Sequence, residues 1–148
     1  FKGIIIFFNF VVMGFTIRPL IYSDYDDILV GWWKAWKTTV PTRDYLPDNA
    51  TGGFIVYDED TPVCAGFVYN TNSSIAWCEF IVTNFEYKDR KKREECLNIL
   101  GAKITEAAKD AGKGYLMTLL RNELLKKVCK DQGYLSMKDG YTNMIKIL

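Results

Sequence analysis

At 148 residues the chain is long enough for one domain with a buried core, and a content of 49% hydrophobic and 15% aromatic residues excludes a disordered polymer. The 19 basic and 18 acidic residues nearly cancel to a net charge of +1, which argues against a surface built for nucleic acid. Histidine is absent, which excludes a Ser-His-Asp triad, a Cys-His pair and any imidazole-held zinc; Cys64, Cys78, Cys96 and Cys129 form no C-x-x-C pair, so no metal is expected and the thiols read as reduced, in a cytoplasmic protein.

The run from Ile4 to Val12 is apolar but short of the roughly 20 residues a membrane span needs, so no membrane is expected. One Lys precedes it and no small-residue cleavage site follows, a poor fit to a signal peptide. Met13-Gly14-Phe15 reads like a natural start, so residues 1–12 are expected to be an extension and 13–148 the single domain. The competing reading is an extra edge strand, which would be adhesive if exposed.

Phe15 to Leu20 predicts a first strand. Ser23 can cap a helix whose apolar stripe is Tyr25, Ile28, Leu29, Trp32 and Trp36; Trp33 lies off that stripe and is the tryptophan expected to meet a substrate or partner. Thr38 to Gly53, with Pro41, Pro47 and Gly52-Gly53, reads as a loop that can hold a short helical turn. Phe54–Tyr57, Val63–Tyr69 and Ile75–Thr83 follow as an antiparallel meander, with turns at Asp58–Pro62 and Asn70–Ser73.

The third of these strands is apolar on both faces except for Glu79, which alternation places on one face with Trp77 and Ile81. Tyr87 to Arg93 is a strongly cationic loop feeding a helix from Glu94 to Ala111, with Leu97, Leu100, Ile104, Ala107, Ala108 and Ala111 at helical spacing and Gly112 as its stop. A basic loop at a helix N-terminus joins cationic side chains, unpaired N–H groups and the positive end of the dipole, a combination suited to phosphate. Tyr115–Leu120 predicts a fifth strand, reached by a right-handed parallel crossover. Asn122 to Gln132 predicts another amphipathic helix, and Tyr134–Lys138 with Thr142–Leu148 a closing hairpin turned at Asp139-Gly140.

The order β-α-β-β-β-α-β-α-β-β resembles the GNAT superfamily of N-acetyltransferases, an α/β fold with a mixed sheet, over the chain from Phe15 onward. Asn122, Leu125 and Cys129 followed by Gly133-Tyr134 are similar to that family's Asn-x-x-Ala-x-x-x-Tyr ending in Gly-Phe, and Ala107 to Gly112 and Thr142 to Lys146 are similar to its helix end and final strand. Two departures stand out. The family's acyl-coenzyme A motif (Gln or Arg, two residues, Gly, one residue, Gly or Ala) is matched best by Arg93-Glu94-Glu95-Cys96-Leu97-Asn98, which keeps the Arg and has neither glycine. Cys129 stands where the family often has a Tyr acid. A degenerate loop of this kind is similar to GNAT-like proteins of bacteriophage genomes.

The resemblance implies transfer of an acetyl or other acyl group from acetyl-CoA to a primary amine on a small molecule or peptide, by direct attack. It implies Glu79 as general base and Cys129 as thiolate donor, with Ile81, Val82, Thr83, Arg90, Lys91, Lys92, Arg93, Cys96 and Asn122 holding the coenzyme. Each has a plainer reading. Glu79 can be a strand-end carboxylate, Cys129 a small buried hydrophobe, the basic run a solvated helix entry and Asn122 an N-cap. Tyr134 is a substitute donor or a core residue. The alternative from another class is a GNAT-fold binding protein without catalysis; a homodimer is left open.

Overall fold

The computed structural model describes residues 14–137 and 142–148. The four apolar stretches predicted as strands between Phe15 and Thr83 form β1 (Phe15–Pro19), β2 (Gly53–Asp58), β3 (Thr61–Asn70) and β4 (Ile75–Thr83), each antiparallel to the next. β5 (Tyr115–Met117) returns parallel to β4, giving a sheet in the order β1-β2-β3-β4-β5. The connection between these two strands is α2 (Arg90–Asp110), preceded in the chain by α1 (Val30–Ala35) and followed by α3 (Glu123–Asp131).

The two faces of the sheet bury separate cores. On one, Cys96, Leu97, Leu100, Ile104 and Ala108 of α2 cover Phe15, Ile17, Val56, Val63, Cys64 and Cys78. Ala111, expected on this stripe, is exposed, because the helix ends at Asp110 and Gly112 turns away at φ +79°. On the other face, Leu29, Trp32, Trp33 and Leu46 pack on Ile55, Ala65, Phe67 and Val82. Fully burying one such aliphatic or aromatic side chain stabilises the fold by roughly 1.5–3 kcal/mol.

The first helical segment departs from its expected phase. Tyr25–Leu29 is a π-helical turn running into α1, and Ser23 does not cap it. Instead the buried Asp24 accepts Arg18 Nη1 and Nη2 at 2.7 and 3.0 Å and the Ile21 N–H at 2.8 Å, tying the end of β1 to the helix start. The wider i→i+5 turn shifts every later residue around the axis. Trp33 is therefore 4% exposed in the core, whereas Trp36, expected inside, is 44% exposed. The expectation that Trp33 meets a substrate is corrected by this burial.

Between α1 and β2 the loop holds two short 3₁₀ turns, Arg43–Tyr45 and Pro47–Ala50. The closing hairpin is a second correction: Tyr134–Met137 and Thr142–Leu148 carry no strand, and Leu135, Met144 and Ile147 stand about nine-tenths exposed. β5 is three residues long and offers little to pair with, and a hairpin without a sheet to pack on is marginal in water. Its turn at Asp139-Gly140 and the extension at residues 1–12 lie outside the described residues. Among the described residues no helix is long and apolar enough to cross a membrane.

Candidate functional site

Glycine at position 66 is where the site begins. A Cβ there would come within 3.3 Å of the Ile81 and Leu100 side chains and 3.4 Å of Ile104, so any side chain at this position would press on the bulge and on α2. The β3–β4 register jumps from Ala65↔Val82 to Phe67↔Glu79, setting Phe80 and Ile81 opposite the single residue Gly66. Phe80 takes φ +56°, a left-handed conformation that costs a bulky residue roughly 1–3 kcal/mol. Its ring packs edge-on to Tyr45 at 5.6 Å and tilted to Tyr69 at 6.4 Å, contacts that hold the bulge in place. The slip also breaks alternation. Glu79 does not share a face with Ile81 as expected, because Ile81 turns to the α2 side while Phe80 and Val82 pack on the other.

Beyond the bulge, β4 and β5 separate. Their ladder covers three pairs, from Ile75↔Tyr115 to Trp77↔Met117, and then stops. The gap is a cleft of about 240 Å³, walled by Glu79, Phe80 and Ile81 on one side and by Thr118 to Asn122 with Leu125 on the other. β5 thus offers no partner to the backbone of Ile81, Val82 or Thr83, although the Thr83 carbonyl accepts the Trp36 indole N–H at 2.8 Å.

Glu79 spans this gap, its Oε2 accepting the Leu119 N–H at 3.0 Å. Burial pushes its carboxyl above the ordinary value, and the Leu119 N–H draws it partly back. Nearby Tyr69, whose hydroxyl donates to the Tyr45 carbonyl at 2.9 Å, is pushed up to about 12, by burial first and then by the Tyr45 and Glu79 charges. Asn122 lines the cleft and caps α3, its Oδ1 accepting the Leu125 N–H at 3.1 Å. Cys129 stands one turn past Leu125 and is not among the residues lining the cleft; it is half-buried, and burial raises its thiol. Burial pushes Cys78 up to about 12, with Cys129 and then Glu79 adding to it, and raises Tyr134, with both thiols adding to it.

The basic run lies at the α2 N-terminus but is built differently from the expectation. The helix starts at Arg90 and not at Glu94, because Asp89 caps it by accepting the Lys92 N–H at 3.0 Å. Arg90 to Arg93 therefore form its first turn. Arg93 donates to the Tyr87 carbonyl at 2.7 Å, and Lys92 stands 3.7 Å from Asp58, itself bonded by the Tyr87 hydroxyl at 2.7 Å. Arg90 and Lys91 are exposed. Cys96, expected at the coenzyme, is fully buried in the α2 core, its thiol pushed up to about 12 by burial first and then by Asp58 and Glu95, against the pull of Lys92. With the helix already formed at Arg93, the Arg93–Asn98 stretch is helix interior, where backbone N–H groups are taken. Glu79, Ile81 and Asn122 thus share one cleft, the basic residues gather at the head of α2, and Cys96 and Cys129 stand apart from both.

Thr118 was not foreseen. It lines the cleft with its Oγ1 buried and without a hydrogen-bond partner. In sequence it sits inside an apolar run read as strand to Leu120, and nothing in that run marks where pairing ends.

No family model matches the chain, and no curated protein matches it. Among solved structures it is similar to N-acetylglutamate synthase from Neisseria gonorrhoeae complexed with coenzyme A and L-arginine, at TM-score 0.64 and 15% identity over 86% of this chain and 28% of that longer one. It is similar to AAC(6')-Iy in complex with the bisubstrate analogue CoA-S-monomethyl-acetylneamine, at TM-score 0.63 and 15% identity over 90% and 99% of the two chains. It is also similar to yncA from Salmonella typhimurium with its cofactor acetyl-CoA, at TM-score 0.61 and 10% identity over 84% and 82%. At these identities the likeness is one of fold.

Proposed function

We propose that this chain, which has the fold of the GNAT acetyltransferases, moves an acyl group from acyl-coenzyme A to a primary amine by direct attack. The observation that carries the reading is the cleft opened by the Phe80 bulge, with a half-buried carboxylate at its mouth. Acetyl-CoA and coenzyme A in the similar structures support the donor.

In this reading the arm of the coenzyme lies between β4 and Thr118–Asn122, pairing with the edge of Ile81 to Thr83 that β5 leaves without a partner. Its phosphates face the first turn of α2, where Arg90, Lys91, Lys92 and Arg93 supply positive charge and the helix its dipole. Glu79 removes the proton from the attacking ammonium, since only the neutral amine is nucleophilic, and a carboxyl raised by burial suits that task. The C–N bond forms, the C–S bond breaks, and the electron pair leaves on sulfur. A thiol with an unperturbed pKa near about 8.5 departs without strong acid help. Cys129 does not line the cleft and is left out of this proton transfer.

A second reading, a catalytically inactive binding protein of the same fold, draws support from the Arg93–Asn98 stretch, which is helix interior and has neither glycine of the coenzyme motif. The two separate on one experiment. Acetyl-CoA should raise the melting temperature by mass action, and amines screened with it should release coenzyme A. No stabilisation and no release would leave the binding reading standing.

A further inference from the structure

Among the described residues, the Thr118 hydroxyl is the buried side-chain polar atom with no hydrogen-bond partner. Native proteins satisfy nearly all such groups, and an orphan calls for a reason. Its surroundings provide one. The β4–β5 ladder has ended at Met117, and two residues later the Leu119 N–H bonds the Glu79 side chain and not a strand. That bond draws Thr118–Leu120 toward β4 and shuts the hydroxyl in. A ligand lying in the cleft would part the two walls and offer the hydroxyl an acceptor. Ile81, Leu120 and Leu125 make much of the lining apolar, which suits methylene segments between amides.

Resting on the acyltransferase reading above, we propose that Thr118 is a coenzyme-binding residue whose hydroxyl donates to a carbonyl oxygen of the pantetheine arm, and that the Glu79–Leu119 hydrogen bond is the clasp closing this site in the free protein. Opening the clasp serves both partners: the Leu119 N–H and Thr118 hydroxyl turn to the arm, and the Glu79 carboxylate is released toward the amine. The site is thereby completed by its own ligand.

The test is calorimetric titration of coenzyme A into the wild type, Thr118→Val and Thr118→Ser, with melting curves of each free protein. Thr118→Val should weaken binding about three- to tenfold, the worth of one hydrogen bond, and melt no lower than the wild type, since it removes an unpaired polar group. Thr118→Ser should retain wild-type binding. Equal affinity in the wild type and Thr118→Val overturns the Thr118 assignment and leaves the acyltransferase reading intact. A lower melting temperature for Thr118→Val also overturns it, by showing that the hydroxyl is bonded within the protein. A wild type that binds no coenzyme A overturns both.

Discussion

The two halves of β4 make opposite use of one strand. Ala76 and Trp77 are laddered on both sides, between β3 and β5. From Phe80 onward the β5 partner is gone, the backbone carries a positive φ, and a carboxylate stands half-buried in the gap. The first half is where the fold gains stability and the second is where it gives stability up. Strained backbone and unpaired polar groups persist only where the surroundings hold them, here Tyr45 and Tyr69 around Phe80 and the α2 core beneath Gly66.

The sharpest way to separate the halves is to change Glu79 and a core residue in parallel. Glu79→Gln should lower the acylation rate roughly 10²–10⁴-fold while leaving coenzyme affinity almost unchanged, since Gln keeps an oxygen for the Leu119 N–H. Wild-type rate should rise with pH as the carboxyl ionises. Because its folded value is raised, Glu79 contributes stability below its unfolded value of about 4.3 and loses it as pH rises through the folded one. The Gln variant should accordingly melt no lower than the wild type at neutral pH. Equal rates across the pH range would make Glu79 structural.

Ile17→Ala, in the core on β1 at the opposite edge of the sheet, should do the reverse, costing about 2–5 kcal/mol in denaturant unfolding. If its coenzyme affinity also collapses under conditions where the protein remains folded, core and cleft are not independent.

A smaller effect belongs to Asp24, remote from the cleft. Burial alone would raise its carboxyl, but the Arg18 hydrogen bonds, the Ile21 N–H and the Arg18 charge together hold it below the usual range. Its stabilisation is present above the unfolded value of about 3.9 and is lost as pH falls through the folded value. Asp24→Asn should cost about 1–3 kcal/mol at pH 7, less than a fully buried pair because Arg18 is about a third exposed, and this difference should shrink in acid. A pH-independent difference would contradict the ion-pair account.

The smallest expected change is in Lys91, Lys92 and Arg93. Replacing all three by Ala should weaken coenzyme binding about tenfold at low salt and less at high salt, because solvent screens exposed charges. An unchanged dissociation constant would put the phosphates elsewhere.

Much of the laddered half was legible from sequence. Short apolar runs bounded by turn residues gave β2, β3 and β4 nearly to the residue, the Leu97, Leu100, Ile104 and Ala108 stripe gave the buried face of α2, and Asn122 was recognisable as a cap. The features that make the cleft were not. The bulge stands opposite Gly66 across the sheet, and no local pattern around Phe80 reports it. The π turn at Tyr25–Leu29 shifts a helical phase without altering composition, which moved Trp33 inward. Four cations looked like a loop because basic side chains oppose a helix N-terminus, yet the Asp89 cap outweighs that preference. The closing hairpin had a good turn dipeptide and alternating residues, but three residues of β5 give it little edge to join.

The central claim is that the half of β4 without a β5 partner and the segment facing it form the acyl-coenzyme A site. Amide chemical shifts followed during titration with acetyl-CoA test it residue by residue. The account predicts saturable changes at Ile81 to Thr83, at Thr118 to Asn122 and at Arg90 to Arg93, with Phe15 to Pro19 and Val30 to Ala35 unmoved. Saturable changes confined to other surfaces, or none at millimolar ligand, would contradict it.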